Sequence, residues 1–167
     1  MTTRNIFNRQ YESFTPGSTQ VWLLNGAGVT TTPVTTQTFT AGDTLLQGDV
    51  VYVSGSYVLP ASAASGVAST NYSVIGITTT AASALSAVTV TVDDVAVISS
   101  TNLVAETQLV PGKYYYLSKY TGKLVQYSTA SGTVSASGGY AALVNIGQAL
   151  SPTELQVEIE SPVVLYD

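Results

Sequence analysis

Few residues in this chain could carry out chemistry. Its 167 residues include no histidine and no cysteine, ten Asp and Glu, five Lys and Arg, and eleven tyrosines. Without histidine there is no side chain that ordinarily titrates near neutral pH, no Ser-His-Asp relay and no imidazole metal ligand. Without cysteine there is neither a disulfide nor a thiolate site, and the redox compartment stays open. Paired carboxylates are the remaining inexpensive catalytic route. The one adjacent pair, Asp93-Asp94, falls between two apolar runs, residues 88–92 and 95–98. Neighbouring strand residues point to opposite faces, and Asp favours turns, so the pair reads as a turn rather than a shared acid–base site. No spaced acidic loop supports calcium there. Gly26-Ala27-Gly28 lacks the continuation of a dinucleotide-binding fingerprint. The chain is therefore expected to be non-enzymatic, with no cofactor and no metal.

The tyrosines are the remaining functional candidates. Tyr114, Tyr115 and Tyr116 are consecutive on an expected strand, so Tyr115 takes one face and Tyr114 and Tyr116 the other. Tyr120, Tyr127 and Tyr140 are candidates to lie near them. Such a cluster fills a β core, anchors a protein interface or stacks on sugar rings. All three readings stay open on sequence alone, with Tyr114, Tyr116 and Tyr120 as the candidate interaction residues of this region.

The elements that position these residues come from an internal repeat. Leu46-Gln47-Gly48-Asp49-Val50-Val51-Tyr52-Val53-Ser54 returns as Val110-Pro111-Gly112-Lys113-Tyr114-Tyr115-Tyr116-Leu117-Ser118. Each copy is followed by an apolar strand with Ile-Gly, first Val74-Ile75-Gly76-Ile77 and then Asn145-Ile146-Gly147-Gln148. Each ends on an alternating strand: Val88, Val90 and Val92, then Leu155, Val157 and Ile159. Repetition at this scale indicates one small β unit built twice. Turns at Ser54-Gly55-Ser56, Pro111-Gly112 and Tyr120-Thr121-Gly122-Lys123 separate short strands, the pattern of a β-barrel or sandwich. The expected fold is thus all-β, a small barrel or sandwich from a duplicated unit with an extended N-terminal arm. Residues 1–40 form the arm and connector. Residues 41–167 form the β domain, with repeat one over about 41–98 and repeat two over about 105–160. Residues 29–40, nearly all Thr, Val and Gln with Pro33, read as an edge strand or connector, because Pro is excluded from central strands.

Composition narrows the partners. Charged residues are 9% of the chain, against about 25% in ordinary globular proteins. No charge occurs between Asp49 and Asp93. So sparse a charge suits a surface covered by other protein chains. The net charge of −5 argues against nucleic acid. No run approaches the roughly 20 apolar residues of a membrane span, and Met1-Thr2-Thr3-Arg4-Asn5 leads into polar sequence rather than a signal-peptide core. The first 20 residues hold Phe7, Tyr11 and Phe14, spaced for a short helix that Pro16-Gly17 would stop, or for an extended arm whose aromatics seat in a neighbour. With Trp22 these are the candidate anchoring residues.

The second copy also carries a family resemblance. Gly112-Lys113-Tyr114-Tyr115-Tyr116-Leu117-Ser118, Gly122-Lys123-Leu124, Ile146-Gly147-Gln148-Ala149-Leu150-Ser151-Pro152-Thr153-Glu154-Leu155 and Glu160-Ser161-Pro162-Val163-Val164-Leu165 resemble a module of tailed-bacteriophage structural proteins. The block from Gly48 to Ile77 resembles its companion half and the small β domains of capsid decoration (cement) proteins. The resemblance spans about residues 41–165 and leaves the first 40 unplaced. It implies a virion protein without catalytic residues. The expected role is head decoration on the outer capsid surface, with the major capsid protein and copies of itself, as a homotrimer or other homo-oligomer, for partners. Neither nucleic acid nor membrane is expected. The alternative it implies is a tail-fibre or baseplate module for host attachment, with glycan as the target of the tyrosines.

Overall fold

The structure is a computed structural model, and it describes residues 20–24, 27–31, 35–129, 132–133 and 138–165. The chain divides into two compact units, Met1–Val34 and Thr35–Asp167. In the first unit, strands β1 (Gln20–Leu24) and β2 (Ala27–Thr31) pair as an antiparallel hairpin.

The second unit is all-β. Its first half contains β3 (Thr36–Ala41), β4 (Val50–Ser54), β5 (Tyr57–Pro60), β6 (Val74–Thr78) and β7 (Ala87–Thr91), which close into a barrel in the order β3-β5-β4-β6-β7. Its second half contains β8 (Val95–Val97), β9 (Tyr114–Leu117), β10 (Leu124–Gln126), β14 (Asn145–Ala149) and β15 (Glu154–Val157), forming a five-stranded sheet in the order β10-β9-β14-β15-β8. Short pairs β11 (Ser128–Thr129) with β12 (Gly132–Thr133), and β13 (Ala142–Leu143) with β16 (Val163–Val164), complete the set. Among the described residues, helix is limited to single 3-10 turns at Ser69–Tyr72 and Ser100–Asn102.

The two halves are the same unit, and their hydrogen bonds show how the repeated sequence produces it. In the first, Asp49 N–H donates to the Leu46 carbonyl at 3.3 Å and Gly48 N–H to Thr78 at 2.8 Å; Thr78 N–H donates back to the Asp49 carbonyl at 3.0 Å. In the second, Lys113 donates to Val110 at 3.1 Å, Gly112 to Ala149 at 2.7 Å, and Ala149 back to Lys113 at 2.9 Å. Both turns place glycine in the left-handed region, Gly48 at φ 87° and Gly112 at φ 80°, a conformation that a Cβ penalises. The Ile-Gly strands share a bulge as well. Val51 faces Gly76 and Tyr52 faces Val74, which leaves Ile75 as the extra residue. Tyr115 faces Gly147 and Tyr116 faces Asn145, which leaves Ile146 extra. A bulge of this kind bends its strand and sharpens its twist, as closure of a small barrel requires. The first half closes through parallel pairing of β3 with β5, including Ala41 opposite Val58. In the second half the corresponding contact is one parallel bridge, Leu103 to Leu124.

One expectation is corrected here. Residues 36–41 are neither an edge strand nor a connector: β3 pairs with β7 over Thr36–Thr40 and with β5 at Thr40 and Ala41. Pro33 lies outside the described residues, and Thr36, Thr38 and Thr40 stand on the exposed face. In addition, β8 belongs to the second sheet, where it pairs with β15. Each repeat therefore starts with a strand that lies ahead of the recurring turn.

Core formation follows the alternation. Ala41, Leu45, Val51, Val58, Val88 and Val90 fill the first barrel. The opposite face of β4 and β6, Val50, Tyr52 and Ile77, is buried as well, and it packs in a second cluster with Tyr115, Leu117, Leu124, Ile146, Leu155 and Val157 of the second half. Each large apolar side chain so buried contributes roughly 1.5–3 kcal/mol. The small-residue run after β5 forms the seam: Ala61 and Ala63 are fully buried, Ala63 N–H donates to the Ser118 carbonyl, and Gly122 and Ala141 donate to the carbonyls of Ala61 and Ala63. Asp49 ties the same seam through its side chain. It accepts from Leu46 N–H at 2.8 Å and from Asn102 Nδ2 at 3.1 Å, with Lys123 Nζ 3.8 Å away.

Gly76 and Gly147 hold the tightest places. A Cβ on Gly76 would run into the Thr91 carbonyl oxygen and the Val90 side chain, and one on Gly147 into the Gln156 carbonyl oxygen. Gly76→Ala and Gly147→Ala should each cost roughly 3 kcal/mol of stability, because backbone must move to admit the methyl group. At Gly55, where a Cβ meets nothing within 4 Å and only φ is unfavourable, the change should cost about 1 kcal/mol. Urea unfolding midpoints of the three variants check this; equal losses would contradict it.

Candidate functional site

The tyrosine strand β9 gives the second half two chemically different faces. Tyr115 points into the core and is fully buried. Its hydroxyl donates to Glu106 Oε2 at 2.7 Å and accepts from Val110 N–H at 2.9 Å. Burial first, and then the bond to Glu106, pushes its pKa up to about 12. Tyr114 and Tyr116 take the other face, as the alternation requires. Tyr114 is 46% exposed and pairs across the sheet with Gln148, which in turn faces Gln156.

Tyr116 is the centre of a small aromatic group. Its ring lies 5.7 Å from that of Tyr127, tilted by 57°, within the range in which aromatic pairs attract. Its pKa is raised, first by burial and then by the negative charge of Glu160 and by Tyr127 and Tyr114. Asn145, opposite Tyr116 on β14, accepts a hydrogen bond from Glu160 N–H through its main-chain carbonyl at 3.1 Å. Its side-chain Oδ1 is buried and has no hydrogen-bond partner. Glu160 and Ser161 also line a groove of about 400 Å³, with Val74 and Ile75 of the first half and Ile159 and Pro162 supplying apolar surface.

Sequence reasoning placed Tyr120, Tyr127 and Tyr140 near Tyr114 to Tyr116; of these Tyr127 lies against Tyr116. Tyr114 and Tyr116 share the exposed face of the sheet. Tyr120, 57% exposed, belongs to a different pair: Lys119 Nζ lies 5.8 Å from its ring and 5.7 Å from that of Tyr140, and donates to the Gly138 carbonyl at 2.8 Å. Trp22 lies on β1 opposite Val29. Phe7, Tyr11 and Phe14 lie outside the described residues. Glu160 and Asn145 were not singled out. The signal for Asn145 was present in the repeat, because it occupies the place that Val74 holds in the first copy, a polar residue where the scaffold needs only an apolar one.

Asp94, Asp49 and Glu106 serve structure. Asp94 accepts from Val95 N–H at 2.7 Å, and its main-chain carbonyl accepts from Val157, which fixes the bend between β7 and β8. Asp49 and Glu106 are held by the bonds above. Among the described residues no three His, Cys, Asp or Glu side chains gather as a metal site would require. The outer face of the second half offers flat aromatic surface, amides and one carboxylate, groups suited to non-covalent recognition. Comparison with known proteins finds no family model and no curated protein that matches the chain.

The Tyr115 phenol gives a pH-dependent prediction. Its folded pKa is raised above the unfolded value near 10, so the stability it contributes is complete below pH 10 and is lost as pH rises towards 12. Tyr115→Phe should lower stability by about 1–2 kcal/mol at neutral pH, by leaving Glu106 and Val110 N–H without their partner, and should flatten the decline between pH 10 and 12. Unfolding curves against pH check both; parallel declines in the two proteins would contradict the assignment.

Proposed function

We propose that this chain is a non-enzymatic structural protein of a tailed-phage virion and that its role is head decoration: it binds the outer capsid surface, contacts the major capsid protein and its own copies, and stabilises the shell. The observation that carries the reading is the charge-poor outer wall of the closed barrel in the first half, which is joined to the second sheet through a shared core cluster. Thr36, Thr38 and Thr40 are exposed on β3, Thr38 faces Thr89 on β7, and the first half has no charged residue after Asp49 until Asp93. Such a wall loses little hydration free energy when another protein covers it, since buried charges are the costly part of an interface. A barrel and a sheet joined by a shared core cluster also suit a part that must keep its shape while many copies add modest contacts across a lattice. The resemblance of residues 41–165 to virion modules points the same way. Residues 1–34, which form a unit of their own, supply the anchoring element in this reading, through Phe7, Tyr11, Phe14 and Trp22.

Two measurements test it. Quantitative mass spectrometry of purified virions should find hundreds of copies per particle; a few dozen or fewer would place the chain in a fibre or baseplate instead. Deleting residues 1–20 should abolish binding to undecorated capsids while the β unit stays folded by circular dichroism. Unchanged binding would remove the arm from the mechanism.

A further inference from the structure

We propose that the free edge of β8 is a pairing site for a second copy of this chain, added antiparallel across a two-fold axis through Ala96. Main-chain geometry sets this edge. In the ladder of β8 with β15, Ile98 N–H donates to the Thr153 carbonyl and Val157 N–H to the Asp94 carbonyl. Hydrogen-bonded and non-hydrogen-bonded pairs alternate along an antiparallel ladder. Asp94, Ala96 and Ile98 therefore turn their main-chain groups to β15, and Val95 and Val97 turn theirs away from it. Because β8 is the end strand of its sheet, those groups meet no strand among the described residues. The first half shows that this side of the strand takes a partner in the common scaffold. Val88 and Leu155 hold equivalent places and face Phe39 and Ala96, so Val97 is the counterpart of Thr40. Thr40 pairs on its other side with Tyr57. Val97 has no such partner, because the 3-10 turn Ser100–Asn102 intervenes before the chain reaches β10 at Leu103.

The edge is open and self-complementary. Its sequence is Val95-Ala96-Val97, with none of the Lys, Pro or bulges that keep natural edges from pairing, and Val97 is 51% exposed. With the axis at Ala96, Val95 of each copy falls opposite Val97 of the other. Each Val97 N–H then meets a Val95 carbonyl, and the valines pack as cross-strand pairs. Val95 N–H is already held by Asp94 Oδ1 at 2.7 Å, so Val97 carries the pairing. Asp94 falls opposite Ile98 of the second copy, and no like charges face each other. On the outer face, Tyr114, Gln148, Gln156 and Val95 share one row, which continues through Val97 and Glu154 of the second copy. Three residues a side bury well under the roughly 800 Å² per partner of a standard interface. The dimer is accordingly weak, with a dissociation constant of the order of 0.1 mM, and it counts where copies are crowded. This gives the self-contact of the proposed decoration role a place, and it rests on that role only for the crowding.

Sedimentation equilibrium of the isolated full chain, from about 10 µM to about 1 mM, tests the pairing without any capsid. A monomer–dimer equilibrium is expected, and hydrogen exchange at the Val97 amide should slow as concentration rises. Val97→Lys sets a charge beside the axis in each copy and should weaken the dimer about tenfold or more. Val97→Thr, which keeps the β-branched shape, should retain it. Leu85→Lys, at an exposed apolar residue elsewhere, should leave it unchanged. Circular dichroism checks that the variants fold; if Val97→Lys does not, the concentration dependence of the Val97 amide decides. A monomer at every concentration, a trimer, a dimer that a folded Val97→Lys leaves intact, or Val97 exchange independent of concentration would each overturn the proposal. None of these outcomes touches the copy number in virions, which tests the decoration role separately.

Discussion

Two close approaches of backbone to backbone set the geometry of the whole β unit. At Gly76 the carbonyl oxygen of Thr91 occupies the space a side chain would need, and at Gly147 the carbonyl of Gln156 does the same. Only glycine allows the bulged strand to lie so near its neighbour. The bulge beside each glycine, at Ile75 and at Ile146, then bends the strand. That bend lets five short strands wrap round in the first half and nearly so in the second. Because a slip of one residue would turn every side chain to the opposite face, the same pair of contacts also decides which residues meet: Val51 and Tyr115 go inward, and Val50, Tyr52, Tyr114 and Tyr116 go to the other faces.

What differs between the halves is what those other faces meet. In the first, Val50, Tyr52 and Ile77 are buried in the cluster shared with the second half, and Asp49 closes the seam through Asn102 and Lys123. In the second, Tyr114 and Tyr127 remain exposed, and Tyr116 packs against Tyr127. One scaffold therefore presents two different outer faces: one copy's is buried in holding the pair together and the other's is exposed. The proposed roles follow this division. A Thr-coated, nearly uncharged wall suits protein neighbours.

The repeated turn and the Ile-Gly strands were legible in the sequence because each rests on a local constraint: a glycine with positive φ, an alternating apolar strand, a polar turn. Turn residues and strand positions around Gly48 and Gly112 follow directly. The turn role of Asp93-Asp94 was legible for the same reason. Strand β3 was not, since a run of Thr and Gln shows no alternation of polarity; only Phe39 and Ala41 turn inward, and its place in the barrel is fixed by partners far away in sequence. The grouping of the tyrosines was half legible. Alternation separates Tyr115 from Tyr114 and Tyr116, but no local rule brings Tyr127 to Tyr116 or sends Tyr120 to Lys119. Those contacts depend on how the sheet curves, which is a property of the assembled fold.

The central claim is that the two copies share a core cluster and open together. Native-state hydrogen exchange on the full chain tests this most directly, by comparing the amides of Thr78 and Ala149, the equivalent ladder positions whose donors reach Asp49 and Lys113. The account predicts one common opening free energy for both amides, and an equal fall at both when Asp49→Ala removes the acceptor at the seam. Two separate opening energies, with only Thr78 responding to the substitution, would contradict it and would make the copies independent domains.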